Sequence, residues 1–340
     1  GFRWDLTKGF TQNCSEDNQD CTNRFQQDRV DVLKMYADFS WSIDDSHYVI
    51  FEHLGQDIEE KEWADYRVDE GKGIMMWGKL TNEFNELTMG YESGANLSRF
   101  DYKSRGFKEK RLVTYAESHD EERLMYKNLN YGNSSNSVHN IKTLDIALKR
   151  MEALGPILLL SPGPKMIWHF SELGFENSIF TCENGVFGGD DCKLSTKPQP
   201  QWSTDWLNDD RRKAIYNSWS KLIDMRISKK VFEGNHNYNR YLNNNLIPEI
   251  KVWNVSLDGD DFKFVYIVSN FDISSREIKP ELPFQGSWTN LMNLDLVEIN
   301  NDFKFILEPG DYKVLAFNGS ICDGFDLDGD GEIDYCDFDN

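Results

Sequence analysis

Gly1-Phe2-Arg3-Trp4-Asp5-Leu6-Thr7-Lys8 opens the chain, and this stretch predicts a short buried strand that ends in charged residues. Arg3 and Asp5 are two positions apart, so on a strand their side chains point the same way. A carboxylate beside a guanidinium has a lowered pKa and stays ionised, as a nucleophile requires. A purely structural ion pair is the alternative interpretation of the same two residues.

Two further predicted strands end in reactive side chains. Val49-Ile50-Phe51-Glu52-His53 places an acid at the end of an apolar strand, where partial desolvation raises its pKa and fits it for proton donation. Tyr115-Ala116-Glu117-Ser118-His119-Asp120 places an imidazole and a carboxylate just past another strand. Taken singly, Glu52 is also compatible with a helix cap, and His119 with Asp120 forms a plausible loop pair.

Strands and helices alternate over the first two-thirds of the chain. The pattern predicts strands at residues 1–6, 48–51, 73–77, 112–115 and 165–168, and helices at 28–39, 82–89, 137–154 and 211–227. Such alternation indicates parallel strands joined by crossover helices, and the carboxyl ends of barrel strands build active sites. The first of these helices is expected to place Val32, Leu33, Met35, Tyr36 and Phe39 on its apolar positions.

From Glu249 onward the hydrophobic pattern changes to period two. It predicts strands at residues 250–255, 262–268, 303–307 and 312–317, which together indicate an all-β domain of sandwich type. We therefore expect domains at residues 1–230, 231–318 and 319–340, the last being an acidic, glycine-containing tail.

The three charged strand ends, in this order, resemble conserved regions of glycoside hydrolase family 13, the α-amylase family, at its fourth, fifth and seventh barrel strands. The resemblance implies Asp5 as nucleophile, Glu52 as general acid/base and Asp120 as the carboxylate that stabilises the transition state. It implies sugar-binding or orienting roles for Arg3, Lys8 and His119. His53 is expected to line the same cleft from its position alone, directly after the acid. Gly9 departs from the family, whose members often carry His directly after the lysine.

The fold implied by the resemblance is α/β: a partial (β/α)8 TIM barrel of strands four to eight, then an antiparallel β-sandwich. The implied activity is retaining hydrolysis of α-1,4-glucans such as starch. The family's first three strands would precede Gly1, and five parallel strands leave open edges. We therefore expect a longer enzyme, a partner chain or, preferentially, a homodimer that covers the edges. The competing hypothesis is an inactive glucan-binding or assembly fragment.

The composition of the chain favours some classes of binding partner over others. A formal net charge of −21 disfavours nucleic acid, whose phosphates would be repelled. Aromatic residues make up 14% of the chain, which suits either a carbohydrate binder or a Trp-rich core. No apolar run approaches the length of ~18 residues that a membrane span needs.

The six cysteines fall into three close pairs, which predict local disulfides in an oxidising compartment: Cys14 with Cys21, Cys182 with Cys192, and Cys322 with Cys336. Free thiols in a cytosolic protein are the alternative, and no pair has the CxxC spacing typical of zinc. With the bacterial resemblance, the disulfides predict a secreted, periplasmic or cell-surface protein.

The segment 326–337 follows the spacing of an EF-hand-like calcium loop. Its oxygen ligands for Ca²⁺ would be Asp326, Asp328, Asp330, Glu332 through its carbonyl, Asp334 and Asp337. Gly331 supplies the sharp turn. A solvated acidic tail is the alternative, and a calcium-dependent structural module explains this segment alone.

Overall fold

The computed structural model describes residues 1–15, 17–257 and 262–319, and the chain divides into two compact units. The first unit comprises Gly1–Leu80, Ser98–Tyr115 and Gly163–Met166. The second comprises Thr81–Leu97, Ala116–Pro162 and the described part of Ile167–Asn340. The predicted domain boundaries after residues 230 and 318 stay a prediction.

The first unit is built on four parallel strands in the order β1-β2-β3-β4. Its elements are β1 (Phe2–Trp4), α1 (Gln19–Thr22), α2 (Gln27–Ile43), β2 (Val49–Phe51), α3 (Asp57–Ala64), β3 (Met75–Lys79) and β4 (Leu112–Tyr115). The predicted parallel, strand-helix arrangement is therefore present for these four strands.

The fifth predicted strand, at residues 165–168, is reduced to a single parallel bridge between Thr114 and Lys165. Thr114 exchanges hydrogen bonds with its neighbours on that segment: its N–H donates to the Pro164 carbonyl, and its carbonyl accepts from the Met166 N–H. The ladder stops there because Pro164 has no N–H to donate and because β4 ends at Tyr115.

The core of the first unit lies between the strands and α2 and α3. From α2 it takes Val30, Leu33, Ala37 and Trp41, whose spacing defines one helix face. The predicted apolar face was only partly right, since Leu33 is buried whereas Met35 is 59% and Phe39 is 68% exposed. These two side chains lie on the opposite side of the helix from Leu33 and Ala37, so the rotation of the helix was misjudged.

The second unit combines helices with antiparallel sheets. Its helices are α4 (Thr81–Met89), α5 (Leu124–Tyr131), α6 (Leu144–Leu160), α7 (Pro200–Ser203) and α8 (Asp210–Ser228). Its strands are β5 (Asn235–Arg240), β6 (Pro248–Trp253), β7 (Phe264–Ser269), β8 (Arg276–Ile278), β9 (Gly286–Asn290), β10 (Leu296–Ile299), β11 (Phe305–Leu307) and β12 (Tyr312–Phe317).

The strands form a six-stranded sheet, in the order β10-β9-β12-β7-β6-β5, and a two-stranded sheet of β11 and β8. Side chains from both sheets share one core, in which Ile278 and Leu307 pack with Phe264, Trp288 and Phe317. This arrangement agrees with the predicted antiparallel, sandwich-type region, although β5, β8, β9 and β10 were not predicted.

Helix α6 begins at Leu144, later than predicted, because asparagine side chains hold the preceding segment in turns. Asn136 accepts the Val138 N–H at 2.9 Å, and Asn140 accepts the Lys142 N–H at 3.0 Å. At its other end the helix runs through Pro156 to Leu160. Gly155 permits this packing, since an added Cβ would lie 2.7 Å from the Trp219 indole nitrogen on α8.

Arg150 of α6 is fully buried in the second unit and satisfies three backbone carbonyls on two segments. It donates to the carbonyls of Leu87 and Thr88 on α4 and to that of Phe271 beyond β7. It also approaches His139, whose pKa is lowered to about 4 by burial and by the nearby Arg150 charge. Within the described residues, no helix is long and apolar enough to cross a membrane.

Candidate active site

The ends of β1 and β2 bring the first two predicted catalytic residues together. The strands pair in parallel with Trp4 opposite Phe51, so the next residue on each strand, Asp5 and Glu52, emerges at the same edge. Asp5 lies in a turn just past the strand and is 72% exposed, whereas the Glu52 side chain is only 9% exposed. Two carboxylates in contrasting environments therefore stand side by side.

Arg3 holds both carboxylates with one guanidinium. Its Nη1 lies 2.7 Å from Asp5 Oδ1, and its Nη2 lies 2.6 Å from Glu52 Oε2. The predicted side-by-side orientation of Arg3 and Asp5 is thus present. The guanidinium also lies over the Trp77 ring, 4.9 Å from its centroid, and this stacking restricts the plane of the fork.

The residue after Asp5 has an unusual backbone. Leu6 adopts a left-handed conformation with φ of 43°, which is costly for a side chain of its size. In this conformation its N–H donates to Glu52 Oε2 at 3.2 Å, although the Leu6 side chain remains 60% exposed. The strained residue therefore couples the Asp5 turn directly to the Glu52 carboxylate.

Glu52 has the electrostatic character expected of a general acid. Burial raises its pKa, and the neighbouring Asp5 carboxyl raises it further, whereas the Leu6 N–H and Arg3 act in the opposite direction. The net pKa lies above the usual value for a glutamate. A carboxyl of this kind keeps its proton at a pH where ordinary glutamates have lost theirs.

His53 follows Glu52 but is fully buried rather than exposed in a cleft. Its Nδ1 lies 3.1 Å from Thr7 Oγ1, and its Nε2 lies 3.0 Å from Glu59 Oε2. Thr7 in turn donates to the Glu52 carbonyl at 3.0 Å. Burial lowers the pKa of His53, and the ring ties the Glu52 strand end to α3, which favours a positioning role.

A buried ion pair between Arg29 and Glu59 supports the contacts of His53. Arg29 of α2 donates to Glu59 through Nε at 2.9 Å, and both side chains are fully buried. Arg29 also donates to the Lys8 carbonyl at 3.0 Å, which fixes the segment after Asp5. The predicted sugar-binding Lys8 extends its ammonium to Asn23 Oδ1 at 3.1 Å.

In the second unit, His119 and Asp120 form the third predicted group. The His119 Nε2 lies 3.3 Å from Asp120 Oδ2, and both side chains are about two-fifths exposed. Lys193 approaches the other carboxylate oxygen, Oδ1, at 3.3 Å. Asp120 is therefore already paired with a cation that the sequence analysis did not single out.

A buried network holds this loop in place. Glu117 accepts the Leu124 N–H at 2.7 Å and also the Ser171 hydroxyl, and Arg123 lies 3.6 Å from its carboxylate. Arg123 also donates a hydrogen bond to the His169 carbonyl at 3.0 Å. Glu117 and Arg123, which are both almost fully buried, thus fix the backbone on either side of His119 and Asp120.

Two of the three predicted disulfides are present, Cys14–Cys21 and Cys182–Cys192. The second closes a loop whose next residue is Lys193, which pairs with Asp120. Cys322 and Cys336 lie outside the described residues, as does the whole predicted calcium loop at 326–337. Among the residues that are described, no group of three His, Cys, Asp or Glu side chains is placed to hold a metal ion.

Several side chains around the two groups were missed at the level of sequence. Trp77 lies within β3, which was predicted only as a strand, and Lys193 lies 73 positions after Asp120. For Lys193 the sole local signal is its position next to Cys192. Leu6 carries no signal at all, because leucine is not a residue expected in a left-handed conformation.

No protein-family model matches the chain, and no curated protein matches it. Solved structures do. A pullulanase from Anoxybacillus sp. LM18-11, in complex with maltotriose, gives a TM-score of 0.58 at 14% identity over 84% of this chain. An Anoxybacillus α-amylase gives 0.56 at 14% identity over 86% of this chain. Pullulanase from Bacillus acidopullulyticus gives 0.58 at 14% identity over 85%.

The chain spans only part of these proteins: 41%, 57% and 36% of their respective lengths. At such low identities the likeness concerns the fold. The four parallel strands of the first unit and the antiparallel sheets of the second agree with it. The chain therefore has a fold similar to that of pullulanases and α-amylases.

Proposed function

We propose that this chain carries the catalytic machinery of a retaining glycoside hydrolase that acts on α-1,4-glucans. The observation that carries the proposal is the Arg3 fork, which holds an exposed Asp5 beside a buried Glu52. Retaining enzymes need a nucleophile and an acid/base only about 5–5.5 Å apart, whereas inverting enzymes leave room for a water at roughly 6.5–9.5 Å. Two carboxylates on one guanidinium favour the shorter separation.

The proposed reaction has two steps. Asp5 attacks the anomeric carbon while Glu52 gives its proton to the glycosidic oxygen, so the bond to the leaving sugar breaks as the ester to Asp5 forms. Glu52, now ionised, then removes a proton from water, whose oxygen replaces Asp5 at the anomeric carbon. By the resemblance, Asp120 binds sugar hydroxyls and stabilises the positive charge of the transition state, and His119 binds the same sugar.

The proposal is tested by incubating the chain with soluble starch and measuring the release of reducing sugar. Glu52→Gln keeps the size of the side chain but cannot cycle the proton, so we expect its loss of activity to be nearly complete. Glu62→Gln is the matched control, because Glu62 lies on α3 with a side chain 47% exposed. Proton NMR of the first product should show the α-anomer; the β-anomer would rule out retention.

The alternative is a glucan-binding or assembly fragment without turnover. It is favoured by the ion pairs in which Arg3 already holds Asp5 and Lys193 already holds Asp120. In that case starch would bind, yet no reducing sugar would appear with the unaltered chain. Glucan binding by itself does not separate the two functions, so the assay must follow product.

Self-association and an extracytoplasmic location complete the proposal. The exposed side chains of Met35, Phe39 and Ile43 on α2 form an apolar stripe in the first unit that a second copy could cover. Light scattering should then give a dimer mass, and a well-folded monomer would remove this part of the proposal. The two disulfides support secretion, because such bonds persist in oxidising compartments.

A further inference from the structure

Thr7 lies between the main chain of Glu52 and the ring of His53, and it is fully buried in the first unit. Its backbone N–H donates to the Glu52 carbonyl at 2.8 Å. Its hydroxyl oxygen lies 3.0 Å from the same carbonyl and 3.1 Å from His53 Nδ1. One threonine therefore joins the strand end that carries the candidate acid to a buried imidazole.

The carboxylate of Glu59 decides which nitrogen of His53 carries the proton. Burial alone would raise the pKa of Glu59, but hydrogen bonds from His53 and Arg29 lower it, so the group is ionised and can only accept. His53 Nε2 lies 3.0 Å from Glu59 Oε2 and must therefore be the protonated nitrogen.

His53 itself is neutral. Burial lowers its pKa, and the charges of Arg29 and Lys8 lower it too, against the opposing effect of Glu59. With its proton on Nε2, the ring presents a lone pair on Nδ1 to the Thr7 hydroxyl. The single hydroxyl proton of Thr7 is then shared between Nδ1 and the Glu52 carbonyl.

Glu59 is itself held in one orientation. Arg29 donates to it through Nε at 2.9 Å and anchors its own remaining donors on three backbone carbonyls, those of Lys8, Thr22 and Arg24. The His53 ring also packs edge-on against Trp63, with centroids 4.7 Å apart. Desolvation offsets most of the attraction in a buried ion pair, so the main consequence of this pair is orientation rather than stability.

We infer that Glu59 is a positioning residue for the general acid, because it acts through His53 and Thr7 on the main chain of Glu52. The inference rests on the proposed function for the role of Glu52. The residue before Thr7 is part of the same arrangement, since the Leu6 N–H donates to Glu52 Oε2 at 3.2 Å. The turn after β1 is thus fixed to Glu52 both at its carbonyl and at its carboxyl.

Loss of the Thr7 hydroxyl has an expected electrostatic effect at Glu52. Burial and then the Asp5 carboxyl raise the pKa of Glu52, whereas the Leu6 N–H and Arg3 lower it. A turn that loosens lengthens the Leu6 hydrogen bond, so the pKa of Glu52 should rise further. General loosening of the fold has the opposite effect, because water entering the site reduces the burial that raises this pKa.

The test compares Thr7→Val, which keeps the shape but lacks the hydroxyl, with Thr7→Ser, which keeps the hydroxyl. The pKa of Glu52 is followed by NMR of its carboxyl carbon, assigned with Glu52→Gln. We expect Thr7→Val to raise this pKa and to lower kcat for starch about tenfold with little change in KM. The limb of the kcat/KM profile that falls with rising pH should move to higher pH, because the acid acts in its protonated form.

Thr7→Ser should restore the wild-type pKa and kcat. Thr11→Val is the matched control, since the Thr11 hydroxyl lies in the same segment but donates to Gln26 at 2.6 Å. It should leave the pKa of Glu52 and the pH profile unchanged. Glu59→Gln should act like Thr7→Val, because an amide both donates and accepts and no longer sets the proton of His53.

A second measurement needs no variant. In proton–nitrogen NMR of the histidine rings, His53 is identified by its contacts to Trp63 and should be neutral, with its proton on Nε2. A proton on Nδ1 alone, or a charged ring, overturns the inference. So does a folded Thr7→Val chain in which the pKa of Glu52 is unchanged or lowered.

Failure of the proposed function gives a different result. A chain that shows the expected His53 proton and the raised Glu52 pKa in Thr7→Val, but releases no reducing sugar from starch, contradicts hydrolysis and supports the positioning of Glu52. A chain that hydrolyses starch equally well in its wild-type and Thr7→Val forms, with equal Glu52 pKa, supports hydrolysis and removes the positioning role.

Discussion

Glu60 on α3 should make the stability of the first unit fall as pH rises. The side chain is completely buried, and burial raises its pKa to about 7 from an ordinary value of 4.5. Arg105, 3.4 Å away, and the Gly55 N–H, at 3.2 Å, oppose this shift without cancelling it. The protonated carboxyl therefore fits the folded chain better than the ionised one.

The sign follows from proton binding. Between pH 4.5 and 7 the folded state holds a proton at Glu60 that the unfolded state has released, so the free energy of unfolding decreases with rising pH. The contribution is fully present below pH 4.5 and is lost above about pH 7. A difference of about 2.5 pKa units corresponds to about 3 kcal/mol.

The perturbation is Glu60→Gln, which keeps the acceptor for Gly55 but cannot ionise. Urea unfolding followed by tryptophan fluorescence at pH 4.5 and pH 8 gives the difference between variant and wild type at each pH, so other titrating groups cancel. We expect this difference to move by about 3 kcal/mol in favour of the variant at pH 8. Glu62→Gln, at a half-exposed position of the same helix, is the matched control.

A difference between Glu60→Gln and wild type that is the same at both pH values would refute the reasoning. It would mean that Glu60 ionises normally in the folded chain. The result also bears on the site, because Gly55 belongs to the loop that follows Glu52. An added Cβ at Gly55 would lie 2.5 Å from the His53 Nε2, so this loop tolerates little displacement.

Three further predictions follow from individual side-chain contacts, and a fourth follows from the sequence of the acidic tail. Arg3→Lys should lower kcat for starch about 100-fold with little change in KM, because an ammonium cannot span both carboxylates; initial rates measure this, and an unchanged kcat would contradict it. Lys193→Ala should lower KM for maltoheptaose by up to about fivefold by freeing Asp120 from an exposed ion pair, whereas a higher KM would mean that Lys193 itself binds substrate. Arg150→Met should cost about 3–5 kcal/mol of stability in urea unfolding, since buried carbonyls lose their donor, and a loss below 1 kcal/mol would contradict this. Asp328→Ala should abolish the heat of calcium binding in calorimetry, and equal heats for variant and wild type would remove the calcium loop.

The pairing of Asp5 with Glu52 could be predicted because it depends on local features. Each acid directly follows a short apolar strand, and parallel neighbours place such residues at one edge. The buried side chains that support these two acids could not be predicted. Arg29 meets Glu59 over 30 positions, and nothing in either local sequence indicates that a buried guanidinium supports the strand end.

The errors in the fold have similar causes. Helix α6 was placed too early because hydrophobic periodicity takes no account of asparagine side chains that compete for backbone N–H groups. Strand β5, of sequence Asn-His-Asn-Tyr-Asn-Arg, was missed because it lacks an apolar alternation and owes its conformation to pairing with β6. An element such as β5, whose conformation depends on pairing with a distant strand, therefore cannot be predicted from its local sequence pattern.

Division of labour between the two carboxylates follows from their unequal burial rather than from their shared arginine. Arg3 contacts both Asp5 and Glu52 at nearly equal distance, and its charge alone would lower the pKa of Glu52. Burial opposes this effect strongly at Glu52, whose side chain is 9% exposed, and leaves Asp5 in contact with water. The neighbouring Asp5 carboxyl then raises the pKa of Glu52 further. One cation between an exposed and a buried acid therefore yields a candidate nucleophile and a candidate proton donor, which is the asymmetry that double displacement requires.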